Sequence, residues 1–260
     1  MTDSTNNILL LGGENPTTWI VYNELVARFG LFPALVEKPI SRWSLIRNRM
    51  RKLGFVPVLS QVAFAFGIRP FVRRKAAPRI KYLKRLHGLE AARPVSDLIF
   101  NVDSVNGVAA HELIERLGPK IVIVNGTRIL NGKTLAKLNA TVINTHQGIT
   151  PAYRGAHGAY WALAQGDKSH CGVTVHLVDE GIDTGNIIAQ AVIAPDAADN
   201  FASYPYLQTA KALELVADAI AAAEHSTLKT VPISGASQVC IILAFSNILA
   251  TPCAACARLI

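Results

Sequence analysis

Short apolar runs alternate with helix-spaced apolar positions along most of the chain. Residues 7–11 form one such run and end in Gly12 and Gly13, the pattern of a buried strand entering a turn. Residues 17–29 follow with Trp19, Val21, Leu25, Val26 and Phe29 on one helical face, and Gly30 stands where a helix stops. Residues 32–36, 98–102, 121–124 and 141–144 repeat the short buried-strand pattern, with helices predicted at 111–117 and 133–138. Two more strands, 172–178 and 187–193, are joined by a loop rich in Gly and Asp, and 201–224 reads as one long helix. Strands alternating with helices predict an α/β fold: a doubly wound, mostly parallel sheet covered on both faces. One catalytic domain is expected over 1–235, with an insertion at about 39–95 and an atypical tail at 236–260.

The insertion breaks the rhythm and carries the charge. The chain has 260 residues and a formal net charge of +8. Residues 42–93 hold 14 Lys and Arg and one acid, Glu90, which leaves 12 basic against 17 acidic residues elsewhere, a net −5. Outside this basic helical segment the chain is mildly acidic. Within 42–53, Leu45, Ile46, Met50 and Leu53 share one helical face and Arg47, Arg49, Arg51 and Lys52 largely the other. Three readings stay open: a solvated face packed on the domain, a peripheral membrane contact through residues 42–85, or the binding of a polyanion.

Four cysteines are too few for a disulfide scaffold at this length. The start of the chain lacks the apolar core of a secretory signal, and no run reaches ~20 uninterrupted apolar residues. The expected location is the cytoplasm, with the inner membrane surface as an option for the basic segment. His170, Cys171 and His176 lack a fourth partner at metal-ligand spacing, so no metal is expected.

The chemistry concentrates between residues 120 and 190. Asn144 and His146 are two apart at a strand end, so their side chains leave the same face. In a parallel sheet such strand ends border the ligand crevice, and an amide beside an imidazole can hold a developing oxyanion. The same pair also suits an ordinary hydrogen-bonded strand edge. Pro151 and Gly155 bound a sharp loop from which Arg154 projects. Asp183, between Gly181 and Gly185, either forms a turn or brings a carboxylate against the imidazole, fixing its orientation.

Together these pieces resemble the 10-formyltetrahydrofolate-dependent formyltransferase family, whose members formylate glycinamide ribonucleotide, initiator methionyl-tRNA or amino-sugar nucleotides. The family's Asn-x-His matches Asn144 and His146, and its Pro-to-aromatic-Arg-Gly loop matches Pro151, Tyr153, Arg154 and Gly155. Its Asp-x-Gly matches Asp183, Thr184 and Gly185, its Gly-Val-Thr strand matches residues 172–174, and its Arg-Ile-Leu lies at Arg128, Ile129 and Leu130. The likeness covers residues 119–195 firmly.

The resemblance implies a Rossmann-like formyltransferase fold and an enzyme that moves a formyl group from 10-formyltetrahydrofolate to a primary amine without a metal. Its catalytic set would be Asn144, His146 and Asp183. Arg128, Ile129, Leu130, Val178, Asp179 and Gly181 would line the folate slot, although Ile129 and Leu130 also suit ordinary core. Gly12 and Gly13 either cradle an acceptor phosphate or simply turn the chain into the helix. Arg154 and His176 complete the expected acceptor side, with His176 at the cleft wall. The family's usual His-Pro-Ser-Leu-Leu-Pro is His146-Gln-Gly-Ile-Thr-Pro151 here, which removes a hydroxyl at Gly148.

An amino sugar carried on a nucleotide, as used in surface polysaccharide synthesis, is the expected acceptor. The alternatives are glycinamide ribonucleotide, methionyl-tRNA, hydrolysis of formyltetrahydrofolate, or a noncatalytic binding protein of the same fold. Transfer RNA is the less expected partner, because the chain after residue 193 is short for the extra domain of the tRNA enzymes. In the tail, Cys253 and Cys256 are weak grounds for zinc or redox chemistry. One codon choice for residues 240–245, read one base earlier, encodes Tyr-His-Pro-Ser-Leu, so a frameshifted terminus is an expectation.

Overall fold

The computed structural model describes residues 7–240, apart from the Arg42 side chain. The predicted strands appear as β1 (Ile8–Gly13), β2 (Ala34–Glu37), β3 (Ile99–Val102), β4 (Ile121–Asn125) and β5 (Thr141–His146), all parallel, in the order β3-β2-β1-β4-β5. A short strand β6 (Tyr153–Gly155) follows, and β7 (Gly172–Leu177) and β8 (Ile187–Val192) extend the sheet antiparallel beside β5. The expected mostly parallel, doubly wound sheet is present, with seven strands.

Alternation along β1 shows how the sequence builds two faces. Ile8 and Leu10 enter a core with Trp19, Tyr22 and Leu25 of helix α1 (Pro16–Phe29), whereas Leu9 and Leu11 enter a second core on the opposite face. The long C-terminal helix, α8 (Tyr204–Glu224), covers the first face with Leu213, Val216 and Ile220. Helices α5 (Val108–Leu117) and α6 (Gly132–Lys137) cover the second. Asn15 starts α1 by accepting the Thr18 N–H at 3.1 Å, just before Pro16.

The basic insertion is the β2–β3 crossover. It forms α2 (Arg42–Leu53), α3 (Phe55–Ala63), one π turn at Phe64–Ile68, and α4 (Arg69–Leu86). The helical run Phe55–Leu86 spans 32 residues, and by length and composition it could cross a membrane. The sequence reading missed it: Pro57, Pro70 and Pro78 and the interspersed arginines hide a continuous helix from a search for uninterrupted apolar runs. Its 18-residue apolar window is only 17% buried.

Several contacts tie this insertion to the sheet domain, two of them next to the crevice. Phe64 packs edge-on against Phe201, with centroids 5.8 Å apart. Arg79 forms a forked pair with Asp199, whose side chain is fully buried, at 3.0 and 2.9 Å, and also reaches Asp196 at 2.7 Å.

Helix α7 (Gly158–Ala164) lies between β6 and β7 and, like β6, was not foreseen. Residues 238–240 of the expected tail form β9 (Gln238–Cys240), parallel to β6. Cys253, Cys256 and most of the proposed frameshifted segment lie outside the described residues.

Candidate active site

Strand β1 lies at the centre of the parallel set: the chain runs outward from it through β2 to β3, then crosses back to β4 on its other side. The carboxyl ends of β1, β4 and β5 therefore border a crevice at the switch in strand order, where α/β sheets bind ligands. A cavity of ≈ 370 Å³ occupies it, and Asn144, His146 and Asp183 all line it.

Asn144 and His146 leave the same face of β5, as their spacing requires. Asp183 arrives from the β7–β8 loop, where its backbone is left-handed, with φ of 51°. Its Oδ2 lies 3.1 Å from His146 Nδ1 and accepts the Gly155 N–H at 2.9 Å. The other ring nitrogen, His146 Nε2, is 2.6 Å from the Tyr153 carbonyl, so acceptors flank the ring on both sides. The Tyr153 side chain fixes that carbonyl by donating its hydroxyl to Gln165 and Asp167. Burial and the Asp167 carboxylate push the Tyr153 hydroxyl up to about 12.

Burial pushes the Asp183 carboxyl up as well. The hydrogen bond with His146, the nearness of His176, the electrostatic pull of His146 and the Gly155 N–H outweigh that penalty. Together they hold Asp183 well below the usual carboxylate range, so it is ionised against His146.

His176 is 3% exposed and belongs to this polar cluster more closely than a cleft-wall residue would. Its Nε2 is 3.1 Å from Asn144 Nδ2 and 3.5 Å from Asp183 Oδ1, and its Nδ1 is 2.7 Å from the Leu177 carbonyl. With the ring proton on Nδ1 and donated to Leu177, Nε2 accepts from the Asn144 amide.

The absent hydroxyl at Gly148 has a steric reason. A Cβ there would stand 2.6 Å from both His146 Nε2 and the Tyr153 carbonyl, the two atoms that form the short hydrogen bond.

The other expected site residues fall elsewhere. Gly12 and Gly13 end β1 as buried strand, where a Cβ on Gly13 would meet the Gly126 carbonyl at 2.4 Å. Asn15, at the end of the segment expected to cradle a phosphate, lines the cavity with Thr17, Gln147, His157 and Thr209. Arg154 braces the loop beside Asp183, donating to the Ile182 carbonyl at 3.2 Å and to Ser237 Oγ at 2.7 Å. Arg128 is held at the sheet edge by the Asp103 and Lys38 carbonyls and by Glu37. Leu130 is core and Ile129 is exposed.

Val178 and Asp179 line a second cavity of ≈ 750 Å³, walled by Leu135, Leu138 and Val142. Gly181 lies in the adjoining turn, where its N–H donates to Asp179 Oδ1 at 3.0 Å. Val142 is two residues from Asn144 along β5, and Val178 is two residues from His176. This recess, walled also by Leu177, Glu180 and Ser226, therefore adjoins the polar cluster along β5 and β7. Its volume admits a flat heteroaromatic ring such as a reduced pterin.

The family model for formyl transferase matches residues 81–212, which is half of the chain and includes the whole polar cluster. The chain belongs to the formyl transferase family. It is 39% identical over 119 residues to a phosphoribosylglycinamide formyltransferase of Mycobacterium tuberculosis, covering 45% of this chain and 52% of that protein. It is 30% identical over 153 residues to a methionyl-tRNA formyltransferase of Chlorobium chlorochromatii, covering 54% and 47%. This formyl transferase thus spans about half the length of the curated relatives it matches.

Among solved structures it superposes on a sugar N-formyltransferase from Shewanella sp. with a TM-score of 0.55 at 15% identity, covering 90% of this chain and 76% of that one. It superposes on glycinamide ribonucleotide transformylase 1 from Symbiobacterium toebii with a TM-score of 0.56 at 18% identity, covering 90% and 96%. At these identities the likeness is one of fold, and it agrees with the doubly wound sheet described above.

Proposed function

We propose that this protein is an N-formyltransferase, with Asn144, His146 and Asp183 as its catalytic residues. The observation that carries the reading is the ionised Asp183 carboxylate 3.1 Å from His146 in the same cavity as Asn144. The co-substrate 10-formyltetrahydrofolate supplies an activated formyl carbon. A bond forms from that carbon to the acceptor nitrogen, the bond to the folate nitrogen breaks, and the proton lost by the amine ends on the folate nitrogen.

One Asn144 N–H is directed to His176, which leaves the second to stabilise the oxygen as it becomes negative. His146 Nε2–H, donated here to the Tyr153 carbonyl, reaches the same oxygen when substrate displaces that contact. Asp183 orients the imidazole and takes part in moving the amine proton. The recess at Val142 and Val178 is the proposed folate site.

The acceptor we favour is an amino sugar on a nucleotide. Sugar N-formyltransferases are among the solved structures that share the fold over nine-tenths of this chain, one of them in complex with folinic acid and dTDP-3-aminofucose. Glycinamide ribonucleotide is the second reading, from the phosphoribosylglycinamide relative. Amine-dependent release of tetrahydrofolate, measured across nucleotide amino sugars, glycinamide ribonucleotide and water alone, separates these acceptors from simple hydrolysis. Release independent of any amine would establish a hydrolase instead.

A further inference from the structure

Beside the catalytic cavity lies a chamber of ≈ 550 Å³ that shares Asn15, Thr17, Gln147, His157 and Thr209 with it, so the two spaces open into one another. The outer wall comes from the insertion: Arg49 of α2, and Arg69 and Arg73 of α4. Arg69, Arg73 and Ile80 lie four and seven residues apart, one face of a helix. Phe201, stacked near His157 at 5.1 Å and against Phe64, forms an aromatic floor.

No carboxylate lines this chamber. Arg79, one turn away, is neutralised by Asp196 and Asp199. Among the described residues, no acid pairs with Arg49, Arg69 or Arg73, and Arg49 has only a 3.4 Å contact to the Gln61 amide. Three uncompensated guanidinium groups around an aromatic floor call for a ligand with a phosphate or diphosphate.

We propose that Arg49, Arg69 and Arg73 hold the phosphate of the acceptor, so that its amine reaches Asn144 through the shared opening. This rests on the reading of the protein as an N-formyltransferase and adds where an anionic acceptor is gripped. The basic insertion then supplies a specificity element that the sheet domain lacks.

The probe is inorganic pyrophosphate, titrated calorimetrically into the full chain. Arg69→Ala and Arg73→Ala are each expected to weaken it about 10- to 100-fold, with Arg73→Lys intermediate. Arg47→Ala and Arg74→Ala, outside the chamber, should match wild type. Unchanged melting temperatures keep loss of fold out of the comparison. In the transfer assay the same arginine variants should raise KM for a phosphorylated amine by a similar factor and leave KM for an unphosphorylated amine alone. Competition by a nucleoside-diphosphate amino sugar, or by an amine-bearing lipid phosphate in detergent, distinguishes the source of the phosphate. Pyrophosphate binding that is absent, or equal in all variants, overturns the chamber even if transfer occurs. Arginine-dependent pyrophosphate binding without any transfer leaves the chamber standing and removes the catalytic reading.

The outward side of the insertion is apolar. Trp43 is 81% exposed, Val56 74% and Phe71 68%, and Phe55, Leu59 and Phe66 are exposed at helix-like spacing. Patches of this kind on a soluble surface mark an interaction site. Beside them Arg47, Arg51, Lys52, Arg74 and Lys75 are exposed and outside the chamber, a charge complementary to an anionic bilayer. We infer that this side seats on an anionic lipid surface.

Sedimentation with vesicles of phosphatidylcholine and phosphatidylglycerol in equal parts should retain the protein, and Trp43 emission should shift to the blue. Phosphatidylcholine alone, or high salt, should bind at least about tenfold less. A Trp43→Ser, Phe55→Ser, Phe71→Ser variant that melts like wild type should lose retention. Equal retention by this variant, or RNA binding or self-association without vesicle binding, overturns the inference.

Discussion

The Asn144 amide and the His176 imidazole face each other across the β5–β7 pair, 3.1 Å apart, in register as strand neighbours. This contact aims the amide and makes His176 a positioning residue for Asn144. His176→Leu leaves the amide unrestrained, and kcat is expected to fall about 10- to 100-fold with little change in KM for folate. His176→Gln, whose side chain can still accept, should recover part of it. Steady-state kinetics on both variants checks this. Equal loss in the two would mean that the ring merely fills space.

Asp183 is bonded to the His146 imidazole and the Gly155 N–H, and its carboxyl is held below the usual range. Its folded value lies below its unfolded one, so its contribution to stability is present above about pH 4 and fades as the solution becomes more acid. Asp183→Asn should therefore flatten the loss of stability between about pH 5 and 3, as read by urea denaturation, and lower kcat by at least about 100-fold. An unchanged pH slope would show that the carboxylate is not ionised against His146.

These first two contacts show what the sequence could and could not disclose. Asn144, His146 and Asp183 were legible because polar residues at the ends of buried strands have few structural uses and their motifs fix the spacing. The sheet was legible because buried strands are short apolar runs bounded by Gly and Asn. The pairing of His176 with Asn144 was not legible, since it depends on the antiparallel register of β7, which no local pattern sets. The same holds for the insertion: three prolines and scattered arginines disguise one helical run, and only its packing against Phe201 and Asp199 brings Arg69 and Arg73 to the crevice. Gly12 and Gly13 were ambiguous in sequence because close backbone packing and phosphate cradling both demand glycine.

Gly148 has no room for a side chain. Gly148→Ala places a Cβ at 2.6 Å from His146 Nε2 and from the Tyr153 carbonyl and is expected to cost about 1–3 kcal/mol of stability. It should also impair transfer, because the contact it displaces holds His146. Thermal melting together with activity checks both effects. A fully stable, fully active alanine variant would show that the loop accommodates the methyl without moving the ring.

His157 sits where the two cavities meet. Burial, reinforced by the Arg69 charge, pulls its ring down to about 4. The unfolded chain takes up this proton near pH 6.5 and the folded one near 4, so stability is complete above about pH 6.5 and declines toward pH 4, by on the order of 3 kcal/mol in all. His157→Phe should lessen that decline, measured by denaturation at pH 7 and pH 4.5. Identical slopes would place the titration elsewhere.

Single-turnover release of tetrahydrofolate from 10-formyltetrahydrofolate, started by a primary amine acceptor, tests the catalytic assignment most directly when wild type is run beside Asn144→Ala, His146→Ala and Asp183→Asn. The expected result is amine-dependent release by wild type and loss of at least about 100-fold in each variant, with folate still bound. Wild-type rates in all three variants, at undiminished folate binding, would contradict it.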